Sequence, residues 1–372
     1  VEDIAYYLRN GSYETQYNPP LEITYSGFQP REQEYRDILE SDSLSPFPGL
    51  GNGQPFVPVD LFNEGIEGFL YSNGTSDYYL RADWGAINND TPERPLTFSQ
   101  VDVQMPLPVG RFQNAPQRML TDITANGQLD YLISKQGMTG YFEVASDEEW
   151  SSFTTLPNYP TESRNVKRHL VDVTGDGIND CLMMTYQGLR FYRSLQQEGY
   201  ADPVLIEPFD LPEDFPISWE SSETIKISFA DMDGGGKSHL VKVTHEGLTY
   251  WPNLGHGYFG QSISMENFPS LSYQQFKDNR VFFADVDGSG TADLIVLFSD
   301  GIKVYLNQCG NSFADPIELP LPNGEVYDPL DRILFADVYG TGMACMIYSK
   351  NHVQAQQWCY QFSGGIKPYL LT

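Results

Sequence analysis

One phrase returns six times along this 372-residue chain. An apolar run leads into an aspartate, a polar loop carrying glycine turns the backbone, and a second apolar run follows. The copies are PFVPVDLFNEGIEGFLY, MLTDITANGQLDYLI, HLVDVTGDGINDCLMM, ISFADMDGGGKSHLVKV, VFFADVDGSGTADLIVL and ILFADVYGTGMACMIYS. They open on Asp60, Asp122, Asp172, Asp231, Asp285 and Asp337, spaced 50 to 62 residues apart. A repeat of that length holds one four-stranded blade and far exceeds a β-helix rung.

Each copy continues in the same way. LIVLFSDGIKVYLN and LVKVTHEGLTYWPN place Asp300-Gly301 and Glu246-Gly247 as hairpin turns into a third strand. Phrases such as NLGHGYFGQSISM and NQCGNSFADPIELP then lead to a fourth. Helical periodicity is almost absent. The pattern predicts an all-β, six-bladed β-propeller with FG-GAP/VCBS-like blades as one domain over 1–372. Residues 45–372 form the blades, and an N-terminal strand segment within 1–44, for which LEITYSGF at 21–28 is the candidate, completes the last one. Closure of this kind removes free sheet edges. The strand before each aspartate is expected innermost, with the acidic loops ringed on one face. That order brings Leu170, Phe229, Phe283 and Phe335, each two residues before its aspartate, close to a central channel. The Asn- and Pro-rich stretch 84–109 breaks the period as an extended loop.

The acidic loops admit two readings. That of Asp172 presents Asp172, Thr174, Asp176, the Ile178 carbonyl and Asp180; that of Asp285 presents Asp285, Asp287, Ser289, the Thr291 carbonyl and Asp293. Alternating oxygens closed by a later carboxylate suit Ca²⁺. An EF-hand is excluded, because position twelve from Asp285 is Val296 and the flanks are strands. The other reading is structural, with Asp and Gly shaping a turn. Degenerate copies favour it outside the Asp172 and Asp285 loops: Lys237 and His239, Tyr339 and Cys345, and Gly68 occupy ligand positions elsewhere.

Composition narrows the partners. Fifty acidic against 22 basic side chains give a net charge of -28, which repels nucleic acid and anionic membranes and leaves a basic partner or ligated cations. No apolar run reaches the about 20 residues of a membrane span. The chain opens on Val1 without a signal-peptide pattern, as an excised or processed piece would. Cys181, Cys309, Cys345 and Cys359 form no CxxC and set no compartment. GGGKS at 234–238 is no phosphate loop, since Asp231 stands where its first glycine belongs. The five histidines are scattered, no carboxylate pair is singled out, and Trp84, Trp150, Trp219, Trp251 and Trp358 are expected in cores. No enzyme is predicted.

VDLFNEGIEGFLY, VDVTGDGIND, YWPNLGHGYFGQ, FADVDGSGTADLI, YLNQCGNSFADPI and the closing IKPYLLT together resemble the B component (TcB) of bacterial ABC-type toxin complexes, related to the Salmonella virulence plasmid B protein. The resemblance covers roughly 21–372. It implies a propeller inside a longer secreted chain, docking on the pore-forming A component and gating exit of an unfolded toxic domain. The rest of that chain meets the C component. It also implies a non-catalytic, extracellular module without membrane insertion of its own. The alternative is a secreted adhesion or glycan-binding propeller braced by calcium; an extracellular carbohydrate-active enzyme ranks third.

Overall fold

The computed structural model describes residues 4–7, 13–16, 28–44, 56–72, 77–83, 95–103, 118–135, 138–144, 150–160, 168–219, 221–277, 280–350 and 356–362. Most of the 21–28 stretch, Trp84 and the closing IKPYLLT lie outside them; of the 84–109 stretch, expected as an extended loop, the described part instead supplies the strand Leu96–Val103, which pairs with Asp77–Ala82. The architecture is all-β; among the described residues helix is confined to Tyr273–Lys277 and a few 3-10 turns.

Four repeats each form a four-stranded antiparallel meander. That of Asp122 runs through Arg118–Thr121, Asp130–Lys135, Met138–Phe142 and Thr154–Thr155, and that of Asp172 through His169–Val171, Asp180–Thr185, Gly188–Tyr192 and Val204–Ile206. The Asp231 repeat uses Lys226–Ala230, His239–Val243, Leu248–Trp251 and Ile263–Ser264. The Asp285 repeat uses Val281–Ala284, Asp293–Leu297, Gly301–Tyr305 and Ile317–Pro320. The strand after the Asp285 loop reads as an unbroken apolar run because it is packed on both faces: Asp293–Leu297 is buried at every position.

The first and last repeats share one eight-stranded sheet. Phe56–Val59, Gly68–Ser72, Asp77–Ala82 and Leu96–Val103 make one half; Arg332–Ala336, Cys345–Lys350 and Gln356–Tyr360 belong to the other. Tyr35–Glu40 joins them. Its first residues pair antiparallel with the C-terminal strand, Tyr35 with Tyr360 and Asp37 with Trp358, and its last pair parallel with the first repeat, Ile38 with Leu96. Segments more than 300 residues apart in the chain are thereby stitched into one sheet.

Neighbouring sheets enclose separate apolar cores. Val241, Tyr250, Leu294, Val296 and Phe313 lie between the Asp231 and Asp285 sheets, while Ile295, Val304, Met346, Tyr348 and Trp358 fill the next interface. Each such side chain contributes about 1.5–3 kcal/mol on burial. Trp219, Trp251 and Trp358 are buried and Trp150 is half-buried, so these four serve the packing expected of them.

The acidic loops touch in sequence order. Asn63 Nδ2 lies beside Gly127, Asn179 Nδ2 donates to Thr121 Oγ1 at 3.1 Å, and Lys237 lies beside Gly175. At the next two junctions the N–H seven residues past one opening aspartate donates to the carbonyl of the preceding one: Ala292 to Asp231 and Ala344 to Asp285, both at 2.8 Å. Glu67 donates to Asp337 in the same register at 3.1 Å, so the last loop meets the first.

Candidate functional site: the acidic loops

Each opening aspartate organises its own turn. Asp285 Oδ1 accepts from Gly288 N–H and Oδ2 from Gly290 N–H, both at 2.8 Å. The Oδ2 bond to the residue five positions on recurs at Gly65, Gly127, Gly177, Gly236 and Gly342, between 2.6 and 2.8 Å. A glycine at that place accommodates the positive φ which the turn imposes, +83° at Gly290.

The residue eight positions after the opening aspartate acts as an acceptor for buried backbone. Asp293 Oδ2 takes Val286 N–H at 3.0 Å and Oδ1 takes Asn307 N–H at 2.8 Å. Asp180 serves Val173 and Ser194 alike, and Asp130 serves Ile123 and Thr124. Where the acid is missing, another acceptor stands in. The Cys345 sulfur accepts from Val338 N–H. His239 Nδ1 accepts from Asn253 N–H at 3.0 Å, the counterpart of the Asn307 bond. Gly68 leaves room for Tyr79, whose hydroxyl donates to Val59 O at 3.1 Å and lies 3.5 Å from Leu61 N. Unpaired buried N–H groups cost about 1–3 kcal/mol each, so an acceptor is required here while its chemical identity is free to vary. The degenerate copies are intact turns.

Cation fit differs among the loops. Asp285, Asp287 and Asp293 each offer an oxygen within 4.8 Å of the others, with Ser289 Oγ 2.8 Å from Thr291 Oγ1 alongside. Burial pushes the Asp293 carboxyl up to about 7, and Asp287 and Asp285 add to this against the two backbone donors. Three carboxylates opposed in this way suit a hard divalent ion. Asp172, Asp176 and Asp180 are not brought into such a group; Asp176 is exposed and accepts from Ile178 N–H at 3.0 Å, and Thr174 Oγ1 lies 3.4 Å from Asp172 Oδ1. Asp231, Asp233 and His239 do converge. Yet Nδ1 of His239 is an acceptor, which assigns the ring proton to Nε2, 3.1 Å from Asp233 Oδ1. That N–H faces the cluster where a cation would need a lone pair.

The four residues expected near a channel are all half-buried, and each packs on a core beside a neighbouring sheet. Leu170 meets the Asp122 repeat's core, Phe229 lies 5.5 Å from Trp219 and from His169, Phe283 joins the Asp231–Asp285 core, and Phe335 lies 5.5 Å from Phe282. Sequence reasoning missed Tyr79 and Glu67. Both were visible in the aligned copies, Tyr79 as the polar group opposite an absent acid, Glu67 as a carboxylate where other repeats carry Ala292 and Ala344.

No family model matches the chain, and no curated protein does. Among solved structures, the Tc holotoxin pore of Photorhabdus luminescens aligns over 95% of this chain and 16% of its own, at 30% identity and TM-score 0.75. The TcdB2-TccC3-Cdc42 complex aligns over 96% and 16%, at 29% identity and TM-score 0.54. A lectin of Agrocybe aegerita that recognises non-reducing terminal N-acetylglucosamine aligns over 84% and 82%, at 18% identity and TM-score 0.55, a likeness of fold alone. The chain therefore spans 16% of the Tc chains it matches and is similar to a Tc toxin B-component-like region. Among the described residues no helix is long and apolar enough to cross a membrane.

Proposed function

We propose that this chain is the six-bladed propeller module of a Tc toxin B component, docking on the pore-forming A component and gating passage of the unfolded toxic domain outside the producing cell. The observation that carries the reading is the alignment to the Tc holotoxin pore over 95% of the chain at TM-score 0.75. Six repeats in chain order, loops touching from first to last and back to first, and a strand shared by both ends support the propeller. The C component is met through the parent chain. The module is non-catalytic, and its acidity disfavours nucleic acid as a partner.

Biolayer interferometry against a purified A-component channel tests the docking. Saturable binding is expected, with no turnover of polysaccharide by the same preparation. A well-folded chain that fails to bind would remove the docking role.

The Asp285 loop is proposed to take calcium, held by Asp285, Asp287 and Asp293. Excess calcium is then expected to raise the melting temperature by a few degrees over chelator, the stabilisation growing with ligand excess. Asp287→Asn should lose most of that increment, while Asp176→Asn in the Asp172 loop should keep it. Equal melting temperatures with calcium and with chelator rule the ion out.

A further inference from the structure

The junction between the last and first repeats differs from the two that share its register. Ala292 and Ala344 each donate one backbone bond to the preceding loop, and their side chains return nothing. Glu67 donates to Asp337 O at 3.1 Å and also receives: Asp337 N–H donates to Glu67 Oε2 at 2.6 Å. The loops are in close contact beside this pair. A Cβ on Gly340 would stand 2.8 Å from Gly65 O.

The electrostatics of the clasp run against its geometry. Half-buried Glu67 faces Asp337 across the seam and Asp60 in its own loop. Neighbouring cations are engaged by other groups: Arg81 Nε lies 2.9 Å from Glu64, and Arg36 Nη1 donates to the Tyr339 hydroxyl at 3.1 Å. Tyr79, the other titratable group beside Asp60, is occupied with Val59 O.

We propose that Glu67 is a proton-sensitive latch on the seam between the first and last repeats, which its neutral form tightens and its ionised form loosens. Either form offers Asp337 N–H an oxygen, so the bond survives protonation while repulsion from Asp337 and Asp60 disappears. Burial, then the two carboxylates, raise this carboxyl above its ordinary range, against the Asp337 N–H. A group raised on folding favours the closed seam fully below its ordinary value and ceases to do so as pH climbs through the raised one. The latch is independent of docking.

The test is amide hydrogen exchange of the full chain in chelator, reading Asp337 protection relative to its intrinsic rate from pH 5 to pH 8, with melting temperatures alongside. In the unmodified protein, protection should fall as pH rises. Glu67→Gln keeps an acceptor without charge and should hold protection high and level across the range. Glu67→Ala should expose the Asp337 amide about tenfold relative to Glu67→Gln at every pH, as expected for one lost hydrogen bond to a partly buried donor. A Glu67→Gln profile that tracks the unmodified protein overturns the proposal even if the alanine variant does not fold. So does unchanged Asp337 protection in a folded Glu67→Ala.

Discussion

Gly68→Ala is expected to destabilise the fold by about 3 kcal/mol, near the upper end for overpacking a core. A Cβ at this position would stand 2.6 Å from both Cζ and Oη of Tyr79, and the Leu80 carbonyl is closer still. Neither can retreat freely. Leu80 is paired with Phe69 in the adjoining strand, and Tyr79 is buried with its hydroxyl committed to Val59 O. Tyr79→Phe separates sterics from hydrogen bonding, since it keeps the ring and removes the acceptor. Its cost should be about 1–2 kcal/mol, that of stranding buried backbone groups. Denaturant unfolding measures both. A Tyr79→Phe variant as stable as the original would show that the hydroxyl does not replace the carboxylate found in other repeats.

The second large effect is a gain in stability on acidification. Burial lifts Asp293 to about 7 and Asp130 to about 6, with nearby carboxylates adding to both; Asp180 and Asp285 move in the same direction. A carboxyl raised on folding binds its proton more tightly in the native state, so stability grows as pH falls through the raised value and is complete below the ordinary one. Going from pH 8 to pH 5 in chelator should therefore stabilise the chain by about 2 kcal/mol, chiefly through Asp293. Asp130 contributes less because its carboxyl is raised less, to about 6. Asp293→Asn should flatten the profile. Saturating calcium should flatten it too, since a bound cation favours the ionised carboxylates that protons otherwise neutralise. A melting temperature that falls steadily from pH 8 to pH 5 in chelator would falsify this account.

Much of the fold is legible without coordinates, and the reason is local. The run from Val281 to Tyr305 encodes three strands by its apolar pattern and two turns by DVDGSG and SDG. Those signals lie within a few residues of the structure they specify. The candidate cation loop is only partly legible. Asp172 and Asp285 open loops of nearly the same spelling, yet only the Asp285 loop draws three carboxylates together. Asp287 sits two residues after its opening aspartate, whereas Asp176 sits four after and is turned outward.

The repeat, its β character, the acidic turns and the strong negative charge are written in the amino-acid order, because period, alternation and turn chemistry act over short distances. That Tyr79, Cys345 and His239 can do an aspartate's work emerges from packing, since an acceptor is defined by the N–H it faces and not by its residue type. Packing likewise decides that Tyr35–Glu40 bridges the chain's two ends and that Glu67 meets Asp337 across 270 residues. Contacts of that span exist only once neighbouring sheets have packed, and no local pattern in the chain specifies which strand or carboxylate will occupy the seam.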